Sequence, residues 1–272
     1  MRLSQYVNER GIDPFTKDDF LFVGSKLAVD PERLILVGGQ ALEVWGLYFN
    51  VAPPTGEHVA LTEDTDWLGS EKDASWLCEL LGRDNTELQL AGQNDAGPQS
   101  ALAYIRTQDG RVLMMDFLRA IVGPSNEDVK RLAVPIQVEG VRLSVLHPLL
   151  CLESRFANLG VLPSKRRGNG PVQARWAISI AEAFLLKLPT DDGGRNLIRA
   201  CHQVAEVAEY RHGKFCYLEF ELDPCSAVTS EVVRRIGGRF ESEDWPRTMA
   251  RIDEKRARWK LRHGAREATK CS

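Results

Sequence analysis

The sequence predicts an α+β protein: a mixed β-sheet flanked by helices, followed by a mostly helical C-terminal part. Three observations lead there. At one domain per ~150 residues, 272 residues suggest two modest domains. Strand-like and helix-like runs alternate up to about residue 146, and helices dominate after it. The charge changes sign near the same place, with nine more acids than bases in 1–150 and six more bases than acids in 151–272. The expected domains are therefore 1–146 and 147–272.

The elements follow in order. Lys17 to Val29 reads as a helix leading into the aliphatic run Leu34-Ile35-Leu36-Val37, a buried strand that ends in a tight turn at Gly38-Gly39. Gln40 to Phe49 has a helical period through Ala41, Leu42, Val44, Trp45 and Tyr48, and the Pro53–Gly56 loop ends it. Val59 to Trp67 reads as extended and Ala74 to Leu81 as a helix. Strands are expected at Thr86–Leu90, Ala101–Thr107 and Val112–Leu118, the last two joined as a hairpin because Asp109-Gly110 supplies the positive φ of the turn. Val134–Val138 and Val141–Val145 form a second strand pair around Glu139-Gly140. A helix begins at Pro148 and stops at Gly160, with Leu149, Leu152, Phe156 and Leu159 on one face. Further helices carry Val172, Trp176, Ile180 and Phe184, then Asn196–Tyr210, then the segment from Trp245, with fraying after Gly264.

Composition excludes several classes. With 43 % apolar and 27 % charged residues the chain can bury a core, which rules out wholesale disorder. No run approaches the ~18–20 apolar residues of a membrane helix, and MRLSQYVNERGID lacks the apolar stretch of a signal peptide. A cytoplasmic protein without membrane contact is expected. The six cysteines form no C-x-x-C pair and have no histidine at zinc-ligand spacing, so they read as reduced, small hydrophobes. No G-x-S-x-G elbow anchors a hydrolase reading.

Chemistry concentrates in an acidic constellation. In Asp64-Thr65-Asp66, residues i and i+2 of a strand face one side about 7 Å apart. Carboxylates so placed converge on a hard cation, since without one their like charges repel. Asp116 stands inside the apolar run Val112–Leu118, where an unpaired buried carboxylate costs several kcal/mol unless it shares such a cation. Gly38 and Gly39, at a strand-to-helix junction, let the backbone approach a phosphate at the positive end of the following helix. Each part is common by itself: the chain has two other Gly-Gly pairs, at 193–194 and 237–238. Their order carries the signal.

That order resembles the nucleotidyltransferase superfamily that includes DNA polymerase beta: Leu36-Val37-Gly38-Gly39-Gln40-Ala41-Leu42, then Thr62-Glu63-Asp64-Thr65-Asp66-Trp67, then Met115-Asp116-Phe117. The Gly-Gly-x-Ala-Leu form and the chain length look most like AbiEii-type nucleotidyltransferases, toxins of toxin–antitoxin and phage-defence systems. The resemblance implies a nucleotidyltransferase-type sheet and a metal-dependent reaction. Gly38 and Gly39 would cradle the phosphates of an NTP, and Asp64 and Asp66 would bind Mg²⁺ or Mn²⁺. Asp116 would be the third ligand or the general base. Arg155 would stand where those proteins carry a lysine in the first helix of the C-terminal part.

The second half adds basic features. Lys165-Arg166-Arg167 forms a loop that, in such an enzyme, reaches the triphosphate or an RNA acceptor. The helix from Trp245 has an apolar stripe (Trp245, Met249, Ile252, Trp259) and a basic row (Arg247, Arg251, Lys255, Arg258, Lys260 or Arg262) suited to a phosphate backbone. The expected function is transfer of an NMP from an NTP to an RNA 3′ end, tRNA included, or to a protein hydroxyl, with a cognate antitoxin as a further partner. The alternatives are a catalytically silent member of the fold acting as a binding or antitoxin-like partner, and a basic RNA-binding adaptor whose acids are structural.

Overall fold

A computed structural model describes residues 2–13, 15–54, 65–92, 97–138 and 140–270. The chain divides into two compact units: Met1–Tyr48 with Gly56–Cys151, and Phe49–Thr55 with Leu152–Ser272. The division falls five residues beyond 146, inside a helix, because the first turn of that helix stays with the sheet: Cys151 lies against the Leu146 carbonyl. The short segment 49–55 goes with the second unit.

The first unit contains α1 (Leu3–Arg10), α2 (Lys17–Leu27), β1 (Ile35–Leu36), α3 (Gly38–Phe49), β2 (Thr65–Leu68), α4 (Glu71–Leu81), β3 (Thr86–Leu90), β4 (Gln99–Arg106), β5 (Val112–Leu118), α5 (Asn126–Leu132), β6 (Val134–Val138) and β7 (Val141–Val145), and ends in the first turn of α6 (Pro148–Val161). The strands form one seven-stranded mixed sheet in the order β3-β4-β5-β2-β1-β7-β6. β2 pairs parallel with β5 and β1 parallel with β7, whereas the neighbours β3/β4, β4/β5, β1/β2 and β6/β7 are antiparallel. The hairpin at Asp109-Gly110 forms as expected, with Gly110 at φ +86°. Arg111 then reaches out of it to Asp19 of α2 with two parallel hydrogen bonds of 2.8 Å. Burial pushes the Asp19 carboxyl up, but the bonds from Arg111 and Thr16 outweigh it and hold the group below its ordinary value.

Alternation sorts the two faces of the sheet. Leu36, Trp67, Met115, Phe117, Leu143 and Val145 point to one face and are all almost fully buried. On the other, α1 covers the β3–β5 side, where Leu3 packs on Tyr104 and Val112. The rest of that face carries Asp66, Asp116 and the polar or exposed residues Arg142, Ser144, Pro135 and Gln137.

Four expectations change. The helix after β1 begins at Gly38, so Gly38-Gly39 opens α3 instead of forming a separate turn. Of the expected extended run Val59–Trp67, residues 59–64 lie outside the described ones, and β2 starts at Thr65. The helix from Pro148 runs through Gly160 to Val161, because that glycine serves a close approach: a β-carbon there would overlap the His212 ring. The C-terminal helix continues past Gly264 to Lys270.

The second unit is helical. After the remainder of α6 come α7 (Gly170–Lys187), α8 (Arg195–Glu209), α9 (Arg211–Phe220), α10 (Ser230–Ile236) and α11 (Trp245–Lys270). The segment 49–55 belongs to its packing: Trp176 of α7 donates its indole N–H to the Val51 carbonyl at 3.2 Å, and Phe49 meets Phe184 edge-on. In α11, Trp245 and Ile252 of the expected stripe are buried, Met249 and Trp259 are only half-buried, and Arg256 is buried as well. The five described cysteines are buried and form no disulfide with one another. No helix among the described residues is long and apolar enough to cross a membrane.

Candidate active site

The site starts from strand pairing. β2 and β5 lie side by side although they are far apart in sequence, and their register sets Asp66 opposite Asp116. Paired residues on neighbouring strands sit about 4.8 Å apart and project to the same face. Two half-buried carboxylates are therefore adjacent, and their repulsion favours a shared cation. The negative charge is felt nearby: burial first, then Glu87 and Asp116, push the Tyr104 phenol up.

β1 aligns the third part. The Val37 N–H donates to the Asp66 carbonyl at 2.9 Å, which brings the next residue, Gly38, against the Asp66 side chain. Gly38 adopts φ +69°, and a β-carbon there would overlap Asp66 Oδ2. Both facts demand glycine. Gly38→Ala is expected to cost about 1–2 kcal/mol from the left-handed backbone alone. By displacing the Asp66 carboxylate it should also cut any activity of the site at least about 100-fold. Thermal melts and activity measured on one preparation check both effects.

Sequence reasoning missed Gln99. The register between β4 and β5 slips at Gln99/Ala101, a β-bulge in which Ser100 is the extra residue. Ser100 Oγ is buried 3.0 Å from both the Gly69 and Phe117 carbonyls, which anchors the bulge. Gln99, opposite Leu118, thereby turns its amide so that Nε2 donates to Asp116 Oδ1. Bulges re-aim side chains in this way beside active sites. Nothing in the run Gln99-Ser100-Ala101 marks a bulge, so no local signal pointed to it.

Thr65 is different in kind. It faces the buried side of the sheet, and its hydroxyl has no hydrogen-bond partner among the described residues. Thr65→Val should therefore stabilise the protein by about 1 kcal/mol, since an unsatisfied buried hydroxyl is replaced by a methyl group. A shift of the urea midpoint to higher concentration would show it.

The other expected site residues are placed as follows. Asp64 lies outside the described residues. Gly39 follows Gly38 in the first turn of α3, whose first ladder bond runs from Ala41 N–H to the Val37 carbonyl. Arg155, in the second unit, donates to Gln173 Oε1 at 2.9 Å. Lys165 is exposed in the short 3-10 turn Pro163–Arg166. Arg166 donates to the Leu159 and Gly160 carbonyls at 2.9 Å and stacks over Phe215, so its guanidinium holds the C-terminal end of α6. The basic row of α11 is largely ion-paired within its own unit: Arg247 with Glu243, Arg251 and Lys255 with Glu209, Arg258 with Glu254. The structure thus brings together Gly38, Asp66 and Asp116, with Gln99 added.

No family model matches the chain, and no curated protein does. Among solved structures, the crystal structure of the Megavirus polyadenylate synthase is similar at a TM-score of 0.32 and 10 % identity, over 68 % of this chain and 40 % of that one. The chain spans less than half the length of that protein.

As a metal site, the described residues offer no group of three or more acidic, histidine or cysteine side chains. Asp66 and Asp116 nevertheless fit one magnesium ion, which protein sites commonly hold through one or two carboxylates together with substrate phosphates. Both are hard oxygen donors on one face.

Proposed function

We propose that the protein is a metal-dependent nucleotidyltransferase that moves an NMP from an NTP to an acceptor hydroxyl. The observation that supports this reading is the register of β2 and β5, which sets Asp66 beside Asp116 with the Gly38 backbone packed on the first. In the reaction the acceptor oxygen attacks the α-phosphorus, the α–β phosphoanhydride bond breaks, and pyrophosphate leaves. A bound Mg²⁺ would neutralise charge on the reacting phosphate oxygens. Asp66 and Asp116 would hold that ion. Asp116, oriented by the Gln99 amide, also takes the proton of the acceptor hydroxyl. Gly38 and Gly39 keep side chains away from the start of α3, so backbone N–H groups meet the phosphates.

The finer assignment is a toxin of the AbiEii type, acting on an RNA 3′ end or a protein hydroxyl and restrained by an antitoxin. It is part of the same proposal and rests on the motif order. The experiment is incubation with each α-labelled NTP, Mg²⁺ or Mn²⁺, and total tRNA or a protein lysate. Label should pass to one acceptor class with at least one NTP. A folded protein that transfers none of the four would be a silent binding module instead.

A further inference from the structure

The sheet ends in two edges, and they are built differently. β6 carries Pro135, which has no N–H to offer, a usual way of closing an edge to further strands. β3, Thr86-Glu87-Leu88-Gln89-Leu90, contains neither proline nor a basic residue, and among the described strands it pairs only with β4. Its exposure is that of an open strand: Gln89 is exposed, and Leu90 is 55 % exposed. A shallow groove that Leu90 shares with the half-buried Trp76 of α4 extends the apolar surface at this edge.

The phase of the ladder decides which backbone groups face outward. The Ala91 N–H donates to the Ser100 carbonyl at 3.0 Å, continuing the register that sets Leu90 opposite Ala101. In an antiparallel pair, residues that exchange both bonds alternate with residues that turn away. Gln89 and Glu87 therefore bond to β4, and Thr86, Leu88 and Leu90 direct their N–H and C=O groups outward. Side chains alternate as well. Thr86, whose hydroxyl lies 3.2 Å from the Gly82 carbonyl at the end of α4, shares the α4 side with Leu88 and Leu90. Glu87 and Gln89 stand on the α1 side, where Glu87 receives the Leu3 N–H and Gln89 the Tyr104 hydroxyl.

We propose that this edge joins a second copy of the chain, β3 against β3, antiparallel about a two-fold axis at Leu88. The strand is self-complementary in that register. Leu88 meets its own counterpart and Thr86 meets Leu90, all of them residues whose backbone groups face outward, so each pair exchanges both hydrogen bonds. Glu87 falls opposite Gln89 of the second copy at the intervening positions, where side chains approach most closely. A carboxylate then faces an amide that can donate to it, and no like charges meet. A two-fold contact of this kind uses one patch twice and closes on itself. The joined sheet is left with only its β6 edges, each bearing Pro135. The inference is independent of the nucleotidyltransferase reading.

Sedimentation velocity of the full chain over a concentration series, up to the solubility limit, tests it. The wild type should pass reversibly from monomer to dimer as concentration rises. Gln89→Glu sets carboxylates opposite each other on both sides of the axis and should weaken the dimer about tenfold. Gln89→Lys gives both pairs opposite charges and should tighten it about fivefold. Gln89 is exposed, so in dilute, monomeric samples both variants should melt where the wild type does. Amide hydrogen exchange locates the contact: residues 86–90 should gain protection at high concentration, and residues 134–138 should not. A chain that stays monomeric throughout the series would overturn the proposal. So would a dimer whose affinity ignores the charge at position 89, or one that protects β6 instead of β3.

Discussion

If the protein has the proposed activity, Asp66→Asn and Asp116→Asn should each abolish nucleotidyl transfer, with a fall of at least about 10³-fold, and neither should unfold the protein. The size follows from the chemistry. Charge stabilisation by a bound cation contributes several kcal/mol to such a transition state, and each 1.36 kcal/mol is tenfold in rate. An amide has the shape of the carboxylate but lacks the charge that holds the ion. Stability should move the other way. The two acids are register partners on neighbouring strands, and like charges so placed destabilise a sheet. Removing either charge relieves that repulsion, so the melting temperature stays level or rises while activity disappears. Label transfer and a thermal melt on the same sample check the pair of outcomes. Transfer that survives either substitution would sink the assignment, and a large drop in melting temperature would mean that the acid is structural.

The largest stability effect is expected far from that site. Arg256, only 6 % exposed, crosses from α11 to Asp223, with a further bond to Asp253 at 3.2 Å and its guanidinium 4.6 Å from the centre of the Tyr217 ring. Burial works against the charge, but the Asp223 carboxylate outweighs it and holds the guanidinium pKa above its ordinary value. Arg256→Met fills the space yet leaves the partly exposed Asp223 without its cation, a loss expected to destabilise by about 1–3 kcal/mol. Arg256→Lys should rescue little, because an ammonium cannot serve Asp223 and Asp253 in a fork while lying flat on Tyr217. Urea denaturation of the three proteins gives the comparison. A midpoint unchanged in Arg256→Met would show that the pair contributes nothing net.

Arg256 also shows where sequence stops being informative. In Asp253-Glu254-Lys255-Arg256-Ala257-Arg258 three cations stand within four residues, and only the partner on another element decides which one is buried. The strands β3, β6 and β7 were legible to the residue because β-branched alternation and turn residues are local properties. α1 was not. It has no side-chain cap, and the Leu3 N–H is met instead by Glu87, 84 positions away. The same division runs through the site. The residue types Gly38, Asp66 and Asp116 were readable from their order, whereas the parallel pairing that joins the two acids is a contact across fifty positions. Gln99 was invisible because a bulge is a slip between two strands and belongs to neither sequence alone.

The segment 49–55 has a practical consequence for anyone wishing to take the protein apart. The chain leaves the first unit after Tyr48, contributes a short strap to the second, and returns, so three peptide connections join the units where a simple tandem arrangement has one. A fragment starting at Leu152 would lack the Val51 carbonyl that receives the Trp176 indole N–H and the Phe49 ring that meets Phe184. One starting at Met1 and ending at Cys151 would carry that strap with nothing to lie against. The helical fragment should therefore be less stable than the same unit in the full chain. Proteolytic nicking between 49 and 55 should loosen the helical unit even though the cut falls a hundred residues before it begins.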